Sequence, residues 1–304
     1  MTPTGRLIRT HRRVGLLLVM LLMLATTSPA ASPSAPDEPT FTIHATRDGG
    51  FESRPSGAVF ILFIGTDARA GFEGERGDAL HLVGVNPETG VATMLNLPRD
   101  LWVPMPGFGT KKITLAYLLG RDDLTARTVG QLVGVNISYV VSTDFAGFIG
   151  LVDDMGGVDV DVPLAMNDRL SGAVFEAGSR HMNGVQALAF SRNRMVPDGD
   201  LRRTEHQALL LLAALRKARA EAASPASSLR LIATMARRTR LTGGSWTDVY
   251  RLTRLALAID PGTIRTVTVP SSIGFVGPEA VVFVRPEAEG LFADLRDDAT
   301  LQNH

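Results

Sequence analysis

Residues 59–64 read VFILFI, a run of six large apolar side chains with Gly57 shortly before it and Gly65 directly after it. Successive side chains of a strand point to opposite faces of a sheet, so a strand with this sequence is apolar on both faces. Such a strand belongs inside a sheet whose two faces are both covered by other layers. The run therefore predicts a central, doubly buried strand.

The remaining apolar patterns predict strands and helices that alternate along the chain. The turn sequence PETG at 87–90 joins predicted strands at 79–86 and 91–97 into a hairpin. Further strands are expected at 137–142, 158–162, 265–269 and 281–284, and helices at 124–133, 144–155, 184–191, 201–221, 228–241 and 246–259. This alternation indicates an α/β sandwich with helices on both faces of the sheet. A chain of 304 residues has room for one large domain or two small ones, and we expect one domain over 57–304.

The first 31 residues have the composition of an export signal. Residues 1–13 contain four arginines and no acid, residues 14–25 are apolar, and small residues with Pro and Ser follow. A bilayer span usually takes about 20 apolar residues, so a cleaved signal peptide and an uncleaved signal-anchor both remain open. Either one places the chain from about residue 32 outside the cytoplasm. Residues 32–56 are predicted to be a flexible linker.

Composition excludes several classes of function. The chain has no cysteine, which rules out a disulfide framework, a thiolate zinc site, an iron–sulfur cluster and a cysteine nucleophile. Lys and Arg together number 31, as do Asp and Glu, so the formal net charge is zero. That balance argues against a nucleic-acid-binding protein.

Acids and arginines cluster where three consecutive predicted strands begin or end. Asp67 and Arg69 follow the first strand, Arg76 and Asp78 precede the second, and Arg99 follows the third. A hairpin of the second and third strands puts Asp78 and Arg99 at one edge of the sheet, and Asp67 joins them if the first strand runs beside them. Carboxylates suit a hard cation such as magnesium, and arginines beside it suit a phosphate or diphosphate. The plainer interpretation is that the acids cap loops and that Arg99 forms a surface ion pair.

A second set of polar residues lies between 191 and 207. Arg192 and Arg194 are two apart, so in an extended segment both point to one face. Arg203 and Gln207 are four apart and share a face near the start of the helix predicted from residue 201, where free backbone N–H groups favour an anion. The alternative is a solvated, arginine-rich helix start. The apolar sequence at 208–215 (ALLLLAAL) is explained by core packing or by a lipid-lined groove.

These segments, in this order and spacing, resemble the LytR-CpsA-Psr family of cell-envelope proteins from about residue 60 to residue 217. The resemblance rests on FILFIGTDAR, RGDALHLVGVNPETG, LNLPRD, KKITLAY, DFAGFIGLVDDMGGVDV, GVQALAFSRNR and GDLRRTEHQ. It implies a three-layer α-β-α sandwich around a mixed central sheet. It also implies a magnesium-dependent transferase at the outer face of the cytoplasmic membrane, which moves a glycopolymer from a polyprenyl diphosphate carrier onto peptidoglycan.

The same resemblance implies roles for individual residues. Asp67 and Asp78 match the residues that hold magnesium at the diphosphate. The remaining matches, for contacts with the diphosphate and its head group, are Arg76, Arg99, Arg192, Arg194, Arg203 and Gln207, with Arg69 as a further substrate-binding candidate. The apolar helix after Gln207 would line a slot for the polyprenyl tail. The chain departs from the family pattern at Thr114, where Asn is common, and at His206, where Arg is common.

Two other functions use the same residues. A hydrolase would have the same cleft with water as the acceptor. A non-catalytic envelope protein would bind an anionic lipid or regulate other proteins, but loss of the acids would be its mark and both acids are present. The sequence identifies neither the polymer nor the acceptor sugar, and it does not assign the carboxylate that would take the acceptor proton.

Overall fold

The computed structural model describes residues 41–46, 57–68, 74–195, 199–222, 224 and 239–301, all within one compact unit, Pro39–His304. The strands in this part of the chain are β1 (Phe41–Ala45), β2 (Val59–Thr66), β3 (Gly77–Val85), β4 (Ala92–Asn96), β5 (Trp102–Met105), β6 (Gly109–Lys112), β7 (Tyr139–Thr143), β8 (Val158–Val162), β9 (Met166–Asp168), β10 (Ala173–Phe175), β11 (Gly178–Met182), β12 (Thr239–Thr242), β13 (Arg265–Thr268), β14 (Ser271–Val276) and β15 (Glu279–Val284). The helices are α1 (Leu115–Val133), α2 (Phe145–Asp154), α3 (Gly184–Arg192), α4 (Gly199–Glu221), α5 (Trp246–Ala258) and α6 (Ala288–Asp298). The predicted export signal and Arg69 lie outside the described residues.

A seven-stranded mixed sheet forms the centre of the fold, with the order β12-β1-β7-β2-β3-β4-β13. Strand β2 lies in its middle, parallel to β7 and antiparallel to β3. Strands β3 and β4 form the predicted hairpin, with His81 opposite Asn96. The predictions of a central strand at 59–65 and of a hairpin formed by the next two strands are confirmed.

Helices cover both faces of this sheet, which makes the three-layer sandwich. On one face, Phe60 and Leu62 of β2 pack in a core that includes residues of α1 and α6. On the other face, Val59 and Ile61 pack in a core that includes apolar residues of α5. Residues that face the two cores therefore alternate along β2. Each fully buried large apolar side chain stabilises the fold by about 1.5–3 kcal/mol. This arrangement is the physical reason for the uninterrupted apolar run.

A smaller layer stands beside the sheet. Helices α2 and α3, the two-stranded sheets β8–β11 and β9–β10, and part of α4 enclose a second core around Val152, Val158, Phe190 and Leu210. Asp144 caps α2 as predicted, because its carboxylate accepts a 2.6 Å hydrogen bond from the Gly147 N–H. None of the helices in the described ranges is both long and apolar enough to cross a bilayer.

The structure corrects three sequence predictions. Strand β1 lies within the predicted linker and pairs with β7 and β12, because Ile43 fits the apolar face of the sheet. The helix predicted at 228–241 is wrong at its end, where β12 is a strand whose Leu241 packs in the same core; its earlier part lies outside the described residues. The predicted strands at 158–162 and 281–284 are confirmed as β8 and β15, and each lies in a two-stranded sheet separate from the central one. Helix α1 begins nine residues before the predicted position, across a break at Gly120 and Arg121.

Candidate functional site

A cavity of about 840 Å³ separates the central sheet from helices α2, α4 and α5. Charged or polar groups from three strand ends, from the end of α3 and from the start of α4 line it: Asp67, Asp78, Arg99, Arg192, Arg194, Arg203 and Gln207. Further along the strands its wall is apolar, with Ile61, Phe63, Val83, Val85, Met94, Leu211, Leu252 and Leu255. The structure therefore brings the predicted site residues of the described ranges to one cavity, with the exception of Arg76. Their roles stay predictions.

A bulge in the sheet aims Asp78 into this cavity. Strand β3 pairs with β2 through Gly65 opposite Ala79 and then Thr66 opposite Gly77, so Asp78 is the extra residue. Without the bulge, Asp78 would share the face of Leu80, which is in the opposite core. Bulges re-aim side chains in this way. At Gly65 a Cβ atom would lie 3.0 Å from that of Ala79, so the strands approach closely here only because residue 65 is glycine.

Asp67 lies directly beside the bulge. Its N–H donates to the Arg76 carbonyl at 3.1 Å, and its Oδ1 accepts from the Arg76 N–H at 2.8 Å. The Arg76 backbone thus orients the Asp67 carboxylate, while the Arg76 side chain is exposed and does not line the cavity. The predicted contact of Arg76 with a diphosphate has no support in this placement.

Arg99 joins the two sides of the charged cluster. Its Nη1 lies 2.8 Å from Oδ1 of Asp78, and its Nε lies 3.7 Å from carboxylate oxygens of both Asp100 and Asp200. Burial alone lowers the pKa of Arg99, but the three carboxylates raise it and the net pKa lies above its ordinary value. Arg99 is therefore a fixed cation between the strand ends and α4.

Asp200, a carboxylate that was not among the predicted site residues, lies among three arginines. Oδ1 of Asp200 is 2.8 Å from Nη2 of Arg203, 3.7 Å from Nε of Arg99 and 3.8 Å from Nε of Arg194. The Arg203 side chain is only 3% exposed, and desolvation lowers its pKa to about 10, so it stays protonated at neutral pH. The sequence signal that could have identified Asp200 is an acid in the first turn of a helix with Arg three residues later.

Arg192 and Arg194 both line the cavity but do not share one extended segment. Arg192 is the last residue of α3, with its guanidinium 5.0 Å from the centre of the Phe145 ring. Arg194 follows Asn193, which has an extended backbone, and its side chain is 47% exposed. The prediction of an extended segment is wrong at Arg192, where the helix continues.

A row of hydrogen-bonded polar side chains crosses the sheet near Gln207. Nδ1 of His81 lies 2.8 Å from Oδ1 of Asn96, whose amide donates to Thr268 at 3.4 Å. The Gln207 amide donates to the Ser191 carbonyl at 3.2 Å. Burial lowers the pKa of His81 to about 4, although hydrogen bonds to Asn96 and Gln207 act in the opposite direction. His81 was not among the predicted site residues. Its only signal in the sequence is that it is a polar residue inside an apolar strand.

A family model described as the LytR_cpsA_psr family matches residues 24–288. The chain belongs to the LytR-CpsA-Psr family. It is 30% identical over 253 residues to the probable cell wall biosynthesis protein LcpB of Corynebacterium glutamicum, an alignment that covers 77% of this chain and 60% of LcpB. It is 32% identical over 255 residues to the polyisoprenyl-teichoic acid–peptidoglycan teichoic acid transferase TagV of Bacillus subtilis, across 80% of this chain and 64% of TagV.

Solved structures show the same fold. The crystal structure of B. subtilis TagV matches with a TM-score of 0.68 at 27% identity, over 80% of this chain and 98% of the solved chain. A LytR-Csp2A-Psr enzyme from Actinomyces oris matches with a TM-score of 0.67 at 26% identity, over 88% of this chain and 97% of the solved chain. The alignments with LcpB and TagV span less than two thirds of the length of those two relatives.

The two departures from the family pattern both lie in buried positions. Thr114 is part of the loop that holds the strand ends together, since its N–H donates to Arg99 and its carbonyl accepts from Gly77. His206 stacks on Phe190 with 4.8 Å between the ring centres, and burial, aided by the Arg202 charge, lowers its pKa to about 4. At neutral pH His206 is therefore a neutral packing residue.

The two carboxylates fit magnesium that is shared with a phosphate ligand. In the part of the chain that the structure describes, no group of three or more His, Cys, Asp or Glu side chains is placed to hold a metal ion. Magnesium is commonly bound through one or two carboxylates together with substrate phosphates and water. The backbone N–H of Arg76 donates to Oδ1 of Asp67, and the Arg99 guanidinium donates to Oδ1 of Asp78. No hydrogen bond from a described residue occupies either Oδ2, so one oxygen of each carboxylate is available.

Proposed function

We propose that this protein is a magnesium-dependent phosphotransferase that moves a glycopolymer from a polyprenyl diphosphate carrier onto peptidoglycan in the cell envelope. The observation that carries the proposal is the cavity, which is charged at the strand ends and apolar along its length. A lipid diphosphate has the same division into an anionic head and an apolar tail. The name of its relative TagV, a polyisoprenyl-teichoic acid–peptidoglycan teichoic acid transferase, supports the same class of reaction.

The apolar part of the cavity suits a chain-like ligand. From Gln207 to Ala218, helix α4 lines the cavity with Leu210, Leu211, Ala214 and Leu215 in between. At a rise of about 1.5 Å per residue, this lining extends roughly 16 Å beyond the polar cluster. A slot of this shape excludes water from an isoprenoid tail, and burial of that tail would supply binding free energy in proportion to its apolar area.

The charged part suits a diphosphate. Arg99, Arg194 and Arg203 surround one point, which Asp200 occupies with a carboxylate oxygen. Guanidinium groups bind phosphate oxygens through charge-assisted, often bidentate, hydrogen bonds. Phosphoryl transfer depends mainly on positioning and on neutralising charge, and a buried arginine with a fixed partner performs both tasks.

In the proposed reaction, an acceptor hydroxyl of peptidoglycan attacks the sugar-side phosphorus. The bond from this phosphorus to the bridging oxygen breaks, polyprenyl phosphate leaves with the electron pair, and a phosphodiester joins glycopolymer to peptidoglycan. A carboxylate at the cavity, Asp67 or Asp78, accepts the hydroxyl proton. Magnesium, when bound by the same two carboxylates, neutralises charge on the diphosphate. Arg99 holds Asp78 in place and offers its remaining N–H groups to the leaving phosphate.

The test is a product analysis with the purified full chain and a glycopolymer-linked polyprenyl diphosphate. With peptidoglycan and magnesium, we expect phosphodiester-linked glycopolymer and an equal amount of polyprenyl phosphate. Without peptidoglycan, neither product should accumulate. Equal release of polyprenyl phosphate in both reactions would identify a hydrolase. Binding of the donor without any product would identify a non-catalytic lipid-binding protein.

A further inference from the structure

Two large apolar side chains project into solvent at the mouth of the cavity. Leu170, in the turn between β9 and β10, is 91% exposed, and Met195, after α3, is 67% exposed. Both belong to the residues that line the cavity. A leucine that is 91% exposed presents most of its apolar surface to water, although it also borders the cavity. The entrance, next to Arg194 at the charged end of the cavity, therefore carries exposed apolar surface.

A single buried carboxylate fixes both segments. Oδ1 of Asp168 accepts from the N–H of Leu170 at 2.9 Å and of Ser171 at 3.3 Å. Its Oδ2 accepts from the Arg194 N–H at 3.4 Å, so the same side chain ties the turn to the segment that carries Met195. Asn193, also buried, accepts from the Met195 N–H at 2.9 Å. The exposure of the two apolar side chains thus results from a pinned backbone.

Cations flank the two apolar side chains. Arg169 precedes Leu170 and is exposed, and Arg194 precedes Met195 with 47% of its side chain exposed. Exposed apolar side chains alternating with arginines are typical of surfaces that enter the boundary between lipid headgroups and acyl chains. Two apolar side chains cover much less area than the roughly 800 Å² that each partner buries in a stable protein interface. The pattern favours a lipid surface over a protein partner.

We propose that Arg169, Leu170, Arg194 and Met195 form a lipid-docking rim that seats the cavity mouth on an anionic bilayer. Leu170 and Met195 enter the headgroup boundary, and the two arginines contact anionic lipid. A lipid-linked ligand then passes from the bilayer into the cavity without crossing water. The identity of that ligand rests on the proposed function. The contact with the bilayer rests only on the exposed side chains of the docking rim.

The natural absence of cysteine gives a direct test in the full chain. Leu170→Cys and Met195→Cys each carry one site for an environment-sensitive fluorophore such as NBD. Phe275→Cys is the matched control, because Phe275 is 71% exposed and apolar but lies on β14 and does not line the cavity. The labelled chains are reconstituted into vesicles of phosphatidylglycerol and phosphatidylcholine, with or without brominated acyl chains.

For labels at positions 170 and 195 we expect a blue shift and a rise in emission on reconstitution, followed by loss of emission in brominated vesicles. The label at position 275 should show neither, although the same N-terminal segment accompanies all three. Both changes should be smaller in pure phosphatidylcholine because the arginines then lack an anionic partner. Equal shifts in the two lipids would overturn the part assigned to the arginines. Quenching at position 275 equal to that at 170, or none at 170 and 195, would overturn the docking rim.

This experiment and the product analysis fail independently. The fluorescence signal requires no turnover and no donor, so it stays if the protein is a hydrolase or only a lipid-binding protein. Transfer from a detergent-solubilised donor requires no bilayer, so it stays if the docking rim does not exist.

Discussion

Replacement of Arg203 by lysine isolates the contribution of one buried guanidinium to the binding of a diphosphate. The Arg203 side chain is 3% exposed, its Nη2 lies 2.8 Å from Asp200, and it lines the cavity close to Arg99 and Arg194. Arg203→Lys keeps the positive charge but removes the planar fork that contacts two oxygens at once. Since the Arg203 side chain is nearly closed to solvent, the lost contact is poorly screened by salt.

The size of the effect follows from the contact that lysine cannot make. A hydrogen bond to a charged group contributes about 1.5–3 kcal/mol, which corresponds to a roughly ten- to hundredfold weaker binding of a diphosphate. The neighbouring Arg202 is the matched control, because its side chain is 38% exposed, forms an ion pair with Glu205 at 3.1 Å and does not line the cavity. Arg202→Lys should change binding by no more than about fivefold, the range of an exposed ion pair.

The assay is calorimetric titration of a short-chain polyprenyl diphosphate, with magnesium, into the wild type and the two variants. Thermal unfolding of each variant is recorded beside it, so that a loss of binding is separated from a loss of fold. Wild-type affinity in Arg203→Lys, or equal losses in both variants, would refute the assignment of Arg203 to a diphosphate site. The start of α4 would then be a structural ion-pair cluster.

Three further predictions concern the metal, the pH dependence and a helix cap. Asp67→Asn and Asp78→Asn should each abolish magnesium-dependent transfer while the circular dichroism spectrum is unchanged; wild-type turnover with the wild-type magnesium dependence in both would place the metal elsewhere. The pKa of His206 is about 4 in the folded protein against 6.5 as its ordinary value, so its contribution to stability is present above pH 6.5 and is lost as the pH falls toward 4. Between pH 7 and pH 5 the free energy of unfolding should fall by about 2 kcal/mol on account of His206. The His206→Phe variant should lack this fall when the free energy of unfolding in urea is measured at both pH values. The same pH dependence in the variant and the wild type would contradict the burial argument. Asp144→Ala deletes the cap of α2 and should lower the free energy of unfolding by about 1 kcal/mol, measured in urea; no change would mean that the cap carries no net stability.

Sequence reasoning predicted the centre of the fold because local patterns determine it there. The apolar run of β2 and the turn between β3 and β4 can each be assigned to one structure from the residues next to them in the sequence. Strands β1 and β12 were not predicted, since they are short and are strands only because β1 pairs with β12 on one side and with β7 on the other. Pairing between residues some 200 positions apart has no local signature, which is why tertiary contacts override propensity at sheet edges.

The site could be predicted in part for the same reason. Asp78 and Arg99 lie at ends of the two strands of the hairpin, which alone brings them together, and Asp67 joins them because β2 pairs with β3. The place of Asp200 among the arginines depends on how α4 packs against the sheet, which the sequence does not reveal. His81 was missed because its partner Asn96 lies 15 residues away, on the next strand of the hairpin, and only the register of the two strands shows that the two side chains are directly opposite.

The bulge at Asp78 makes the site more sensitive to the length of the chain than to its chemistry. A substitution at Asp78 removes one carboxylate and leaves the ladder between β2 and β3 unchanged. Deletion of Gly77 or Asp78 would remove the bulge, and continuous pairing would then exchange the two faces of the strand on one side of it. Polar groups would enter the core beneath α1, and apolar ones would enter the cavity. Single-residue deletions should therefore be tolerated least in this short stretch, and a scan of deletions along β3 would locate the bulge without any measurement of activity.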